Sequence, residues 1–149
     1  MPIHALRVKR LTDIAILPTF GDPEAAGCDL YADLKGEESV RIFPRQKVMI
    51  GTGIACEFPE GYFGLVLPRS SVGIKRHLML PNNAGVIDNS YRGEIMLAFM
   101  NTSDEHQIIK HGERLGQMIL LPYLHYQIIE ADELSETERG AGGFGSTGK

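Results

Sequence analysis

Glycine and proline break this chain every few residues, and the stretches between them are short and rich in β-branched and aromatic side chains. Val48-Met49-Ile50 runs through Gly51-Thr52-Gly53 into Ile54-Ala55-Cys56-Glu57-Phe58, and Pro59-Glu60-Gly61 then turns the chain. Tyr62 to Leu67 follows and stops at Pro68, while Glu94 to Asn101 and Arg114 to Tyr126 have the same strand-like composition. Short strands with turn signals at about 8–12-residue spacing favour a sandwich, jelly roll or barrel over βαβ units. Helical periodicity is scarce. One short turn is expected around Ser70 to Lys75, with the Ser70-Ser71 pair capping its start. The predicted fold is all-β.

The 149 residues suffice for one core, which needs no disulfide or structural metal, and 43% hydrophobic content excludes wholesale disorder. Acidic residues outnumber basic ones, 19 to 15, for a net charge of −4. A protein that coats nucleic acid is usually basic, so no direct nucleic-acid partner is expected. Any anionic ligand must be held by a few local cations and backbone amides. Cys28 and Cys56 lack CxxC spacing and read as buried, reduced thiols. His4, His77, His106, His111 and His125 form no HxxxH or HExxH pattern, which disfavours a protein-ligated transition metal. No stretch approaches membrane-spanning length, and the opening MPIHALRVKRL lacks a signal peptide's apolar segment. The expectation is a soluble, cytoplasmic protein with no membrane partner.

The last part of the chain changes character. Glu130 to Glu138 holds five acids in nine residues, and RGAGGFGSTGK from Arg139 onward is dominated by glycine. We divide the chain into a β-barrel domain, residues 1–133, and a flexible glycine-rich C-terminal arm, residues 134–149. Phe144 stands alone among the glycines, and Arg139, Ser146 and Thr147 suit phosphate, so the arm reads as a segment that orders over a ligand. GxGxxG and P-loop look-alikes occur here, but both motifs need a following helix to receive the phosphate, and none is expected.

Four further segments carry chemistry. Pro68-Arg69-Ser70-Ser71-Val72-Gly73 offers a guanidinium and two hydroxyls at a strand-to-turn junction, a combination that binds anions. Asn82 to Glu94 looks like a hairpin turning at Asp88 to Ser90, which would put the Asp88 carboxylate at a pocket mouth, able to act on water. In Ala26-Gly27-Cys28-Asp29-Leu30-Tyr31-Ala32 an acid interrupts an apolar run, and it needs a buried hydrogen bond or a magnesium ion held directly or through water. Gln117, in Gly112 to Ile119, can present its amide to a ligand oxygen.

These segments (AGCDLYA, PRSSVG, NNAGVIDNSYRGEI, GERLGQMI and RGAGGFGSTG) resemble, in order and spacing, the five motifs of the homotrimeric dUTPase family, and they cover residues 26 to 148. The resemblance implies a jelly-roll-like β-barrel and a homotrimer with active sites shared between subunits. It implies hydrolysis of dUTP to dUMP and pyrophosphate, which limits uracil in DNA and supplies dUMP for dTMP synthesis. In this scheme Asp88 activates the attacking water, and Mg2+ bridges the phosphates with Asp29 holding its water shell. Arg69, Ser70, Ser71 and Gln117 match phosphate positions, joined from the arm by Arg139, Gly145, Ser146 and Thr147. Phe144 would stack on uracil. Asn82, Gly85, Val86 and Ile87 would read the base, and Tyr91 would lie beneath the deoxyribose and collide with a ribose 2′-hydroxyl. Ser71 departs from the family, where many relatives have glycine. The alternatives are a dCTP deaminase-related enzyme and a nucleotide-sensing binding protein of the same fold.

Overall fold

The computed structural model describes residues 5–143. Twelve strands and one short helix run in the order β1 (Arg7–Arg10), β2 (Thr19–Phe20), β3 (Gly27–Tyr31), β4 (Ser39–Ile42), β5 (Lys47–Gly51), β6 (Ile54–Glu57), β7 (Tyr62–Pro68), α1 (Ser70–Arg76), β8 (Leu78–Met79), β9 (Gly85–Ile87), β10 (Met96–Asn101), β11 (Gln107–Lys110) and β12 (Arg114–Pro122). The all-β prediction holds, and the short helix lies where it was expected.

The jelly-roll-like wrap is assembled from four open sheets and does not close into a continuous barrel. Five strands in the order β2-β3-β12-β7-β9 make the largest, β5-β10-β8 the next, and β1-β6 and β11-β4 are two-stranded ribbons. Every pairing is antiparallel. Gly51-Thr52-Gly53 explains why neighbours in sequence are not neighbours in a sheet. The segment passes the chain from β5, which pairs with β10, to β6, which pairs with β1. Gly53 has φ +65°, and a Cβ there would strike the Asp33 carboxylate and Ala15, so this crossing requires glycine. Glu94 accepts the Gly53 N–H (2.9 Å), and Thr52 donates to the Ile95 carbonyl (2.7 Å).

Alternation with period two sorts side chains between core and surface. In β10, Leu97, Phe99 and Asn101 point inward and Met96, Ala98 and Met100 are half-buried. Leu30, Ile42, Ile54, Leu78, Ile95, Phe99, Ile109 and Leu115 are buried in one cluster. Buried Asn101 is fully satisfied: its amide donates to the Ile42 and Glu105 carbonyls, and its oxygen accepts from Ser103 N–H and hydroxyl. Cys28 and Cys56 are buried and unpaired, as read from the sequence. Burial pushes the Cys56 thiol up to about 12, and Cys28 upward as well.

Three local expectations are corrected. Asn82 to Glu94 is not a hairpin, because β9 pairs back onto β7 while β10 joins β5 and β8 in another sheet. Helix α1 is entered through Arg69, which occupies the N-cap without a side-chain cap bond; Ser70 and Ser71 lie inside the first turn. The last strand stops at Pro122, not Tyr126. Among the described residues no helix is long and apolar enough to cross a membrane.

Candidate active site

The five-stranded sheet brings three of the anion-binding candidates together. Gln117 on the central strand β12 lies opposite Asp29 of β3 on one side and Leu67 of β7 on the other. Arg69 follows directly after β7, and its backbone N–H donates to the Leu115 carbonyl (3.0 Å). Its guanidinium Nε meets Asp29 Oδ1 at 3.0 Å, so the buried acid in the apolar run has an ionic partner. A second guanidinium completes the arrangement, with Arg114 Nη1 at 3.2 Å from Asp29 Oδ2. Asp29 is only 7% exposed, and its two oxygens are divided between two arginines, which leaves the trio with a net positive charge. Among the described residues Gln117 makes only a long side-chain contact, to the Pro68 carbonyl (3.5 Å), so its amide is available to a ligand. Ser70 and Ser71 are exposed beside it.

Sequence reading gave Arg114 no role, and the reason is geometric. A register shift between Arg114 and Gly116 interrupts β12, a bulge that tucks both Leu115 and Gly116 inward and turns Arg114 toward Asp29. Gly116 lies against Leu97 and the Leu67 carbonyl, where a Cβ would be 3.0–3.3 Å from its neighbours. The only trace in the sequence is the slipped alternation at Leu115-Gly116.

Asp88 lies elsewhere. It follows β9, the edge strand of the same sheet, and lines a cleft of about 480 Å3 with Phe63, Val86, Asn89, Ser90, Tyr123 and His125. Its carboxylate is exposed and makes no hydrogen bond or ion pair among the described residues. The turn carrying it is pinned by Asn89, whose amide donates to the Pro59 (2.8 Å) and Tyr62 (2.9 Å) carbonyls. Tyr91 folds back over Gly93 and donates from its hydroxyl to the Glu94 carbonyl (3.0 Å); a Cβ on Gly93 would strike the Tyr91 ring. Asn82 is exposed and donates to the Ala84 carbonyl (2.9 Å) within its own turn.

The sheet register sets the backbones of these two groups well apart within one chain. Ile87, next to Asp88, is opposite Gly64, whereas Arg69 is five positions further on, just past the end of β7, roughly 16 Å at 3.3 Å per residue. Arg139 is exposed and closes a local turn through the Gly142 carbonyl (2.9 Å). Phe144, Gly145, Ser146 and Thr147 lie outside the described residues.

A family model for dUTPase matches residues 13–148. The chain belongs to the dUTPase family. It is 44% identical over 143 residues to the deoxyuridine 5′-triphosphate nucleotidohydrolase of Hydrogenobaculum sp., covering 96% of this chain and 97% of that one. To the protein of the same name from Escherichia phage T5 it is 47% identical over 143 residues, 93% of this chain and 96% of that one. A solved dUTPase of Staphylococcus bacteriophage 80alpha, a variant bound to dUpNHpp, superposes with TM-score 0.87 at 29% identity, covering 97% of this chain and 99% of that one. A dUTPase variant of S. aureus phage phi11, described with a structural Mg(II) ion, superposes with TM-score 0.79 at 25% identity, covering 89% and 99%.

Whether magnesium fits this member can be judged from its donors. Among the described residues no three His, Cys, Asp or Glu side chains gather as a metal cluster. With two arginines on Asp29, a protein-held cage there is unfavourable. The residues fit magnesium as an ion carried in on the substrate's phosphates, keeping most of its waters.

Proposed function

We propose that this chain hydrolyses dUTP to dUMP and pyrophosphate at a site completed between copies of a homotrimer. The separation of Asp88 from the Arg69–Asp29–Gln117 cluster carries this reading. The backbone separation between them, roughly 16 Å, supports a site in which Asp88 of one copy meets the phosphate cluster of another. A second feature supports assembly. Beyond β12, Leu124, Tyr126, Ile128 and Ile129 are 87%, 81%, 86% and 73% exposed, an apolar run suited to a neighbouring copy. The arm, residues 134–149, would continue from there and close over the neighbour's site.

In this reading β9 accepts the base. One side of the strand pairs with β7 and the other is a free edge, so backbone groups of Gly85, Val86 and Ile87 can meet the polar edge of uracil as a further strand would, with Asn82 beside them. The held Tyr91 ring supports the deoxyribose and leaves no room for a 2′-hydroxyl. Asp88 then orients and deprotonates the water that attacks the α-phosphorus, a role typically worth about 10²–10⁴ in rate. Arg69, Ser70, Ser71 and Gln117 hold the phosphates and stabilise the pyrophosphate leaving group. Arg139, Gly145, Ser146 and Thr147 add donors, and Phe144 stacks on uracil. Bound on the triphosphate, magnesium would offset phosphate charge, and Asp29 would be the residue to meet its water shell.

The test is pyrophosphate release from dUTP, dCTP, dTTP and UTP, with magnesium and with EDTA, for the wild type and Asp88→Asn. Magnesium-stimulated turnover of dUTP alone, lost in Asp88→Asn, is expected. Ammonia release from dCTP, or tight dUTP binding without turnover, would overturn the reading.

A further inference from the structure

We propose that Arg114 is a positioning residue for the phosphate end of the site, and the inference rests on the function proposed above. Arg114 holds Asp29 so that Arg69 can swing onto the substrate.

Asp29 is 7% exposed, and such a carboxylate must keep a partner. If Arg69 were its sole cation, then drawing that guanidinium onto a phosphate would strand a buried charge, and substrate binding would have to overcome the loss. Arg114 removes the conflict. It occupies the second carboxylate oxygen at 3.2 Å, so the departure of Arg69 leaves a one-to-one ion pair. Arg69 meets Asp29 at Nε, 3.0 Å away, and once released its guanidinium can turn its forked donors onto a phosphate.

The division of labour between the two arginines follows from their places in the fold. Arg69 sits at the head of α1 beside Ser70 and Ser71, with its main chain held by the Leu115 carbonyl at 3.0 Å. Arg114 sits across the bulge. Its preceding residue, Glu113, is itself tied down by Arg76 from the last turn of α1 and by Lys110 N–H at 3.1 Å. The bulge that aims Arg114 is therefore braced against the same helix that carries Arg69 and the serines. Lysine could supply the charge, but on a more flexible stem that would hold Asp29 less firmly.

The test is a double-mutant cycle on the full chain with Arg114→Gln, Asp29→Asn and the pair. Titration calorimetry with the non-hydrolysable analogue dUpNHpp reads Kd, steady-state kinetics read KM and kcat, and a thermal melt checks folding. Arg114→Gln is expected to raise Kd and KM about 10-fold, with kcat changing by less than about 3-fold. In the Asp29→Asn background the same change should shift Kd by less than about 2-fold. An equal shift in both backgrounds, an unchanged Kd in Arg114→Gln, or a loss confined to kcat would overturn the proposal. Should Arg114→Gln fail to fold, Arg114→Lys carries the test: it is expected to fall between wild type and Gln-like loss, and a wild-type Kd would refute the role. Wild-type protein that neither binds the analogue nor hydrolyses dUTP would instead overturn the functional reading beneath it.

Discussion

Two variants that are inactive for different reasons should restore each other when mixed. Arg69→Ala removes the forked cation from the phosphate end, and Asp88→Asn removes the base. The two positions are anchored to one sheet, with Ile87 opposite Gly64 and Arg69 five positions on, just past the end of β7, roughly 16 Å away. In the function proposed above, a site that needs both draws them from different copies. With equal amounts and free exchange, each contribution is intact in about half of the sites, and both in about one quarter. The mixture should recover about a quarter of wild-type kcat with wild-type KM, although neither variant alone exceeds its background. Exchange is brought about by co-refolding and verified by native mass spectrometry on differently tagged chains. A mixed oligomer that stays at background would refute the reasoning, because it would mean that a single chain supplies both residues.

Other outcomes follow from the same geometry. Gly93→Ala should push the Tyr91 ring off its seat over Gly93, so the preference for dUTP over UTP in kcat/KM should fall by about 10-fold or more; unchanged discrimination would remove Tyr91 from the sugar-reading role. Cys56 is held neutral by burial, with its thiol pushed up from 9.0 to about 12. The unfolded chain loses that proton first, so the contribution is intact below pH 9 and fades as pH rises toward 12, by about 1.4 kcal/mol per pH unit within that window. Thermal melts across pH 8.5–10.5 should fall more steeply for wild type than for Cys56→Ala; parallel slopes would show that the thiol does not titrate in this way.

The sequence was most legible where a residue's chemistry conflicted with its surroundings. Asp29 inside an apolar strand demanded a partner, and the partner is there. Arg69 beside two serines demanded an anion, and the segment stands next to Gln117 across the sheet. Illegible features depended on the pairing of distant strands. The apparent hairpin at Asn82 to Glu94 has turn chemistry at its tip, but Gly85–Ile87 gains more by adding to β7 than by pairing with the strand that follows it. Serine next to serine suggested a cap, yet Arg69, its N–H held by the Leu115 carbonyl, is the extended residue from which the helix starts. Arg114 was missed because a bulge depends on register, which only the assembled sheet defines.

The position of β12 in the sheet also governs when the molecule can take shape. It is the middle strand of five, yet nearly the last in the chain, and both β3 (Gly27–Tyr31) and β7 (Tyr62–Pro68) hydrogen-bond to it. During synthesis, strands made early must wait for residues 114–122 before either can find its partner. β1 likewise waits for β6, and β4 for β11. A nascent chain of this kind carries unpaired edges for most of its translation, and its long closures make folding slow compared with local helical folds. The strand that completes the sheet also delivers Arg114 and Gln117, so the phosphate end of the site comes into being in the same late step as the fold.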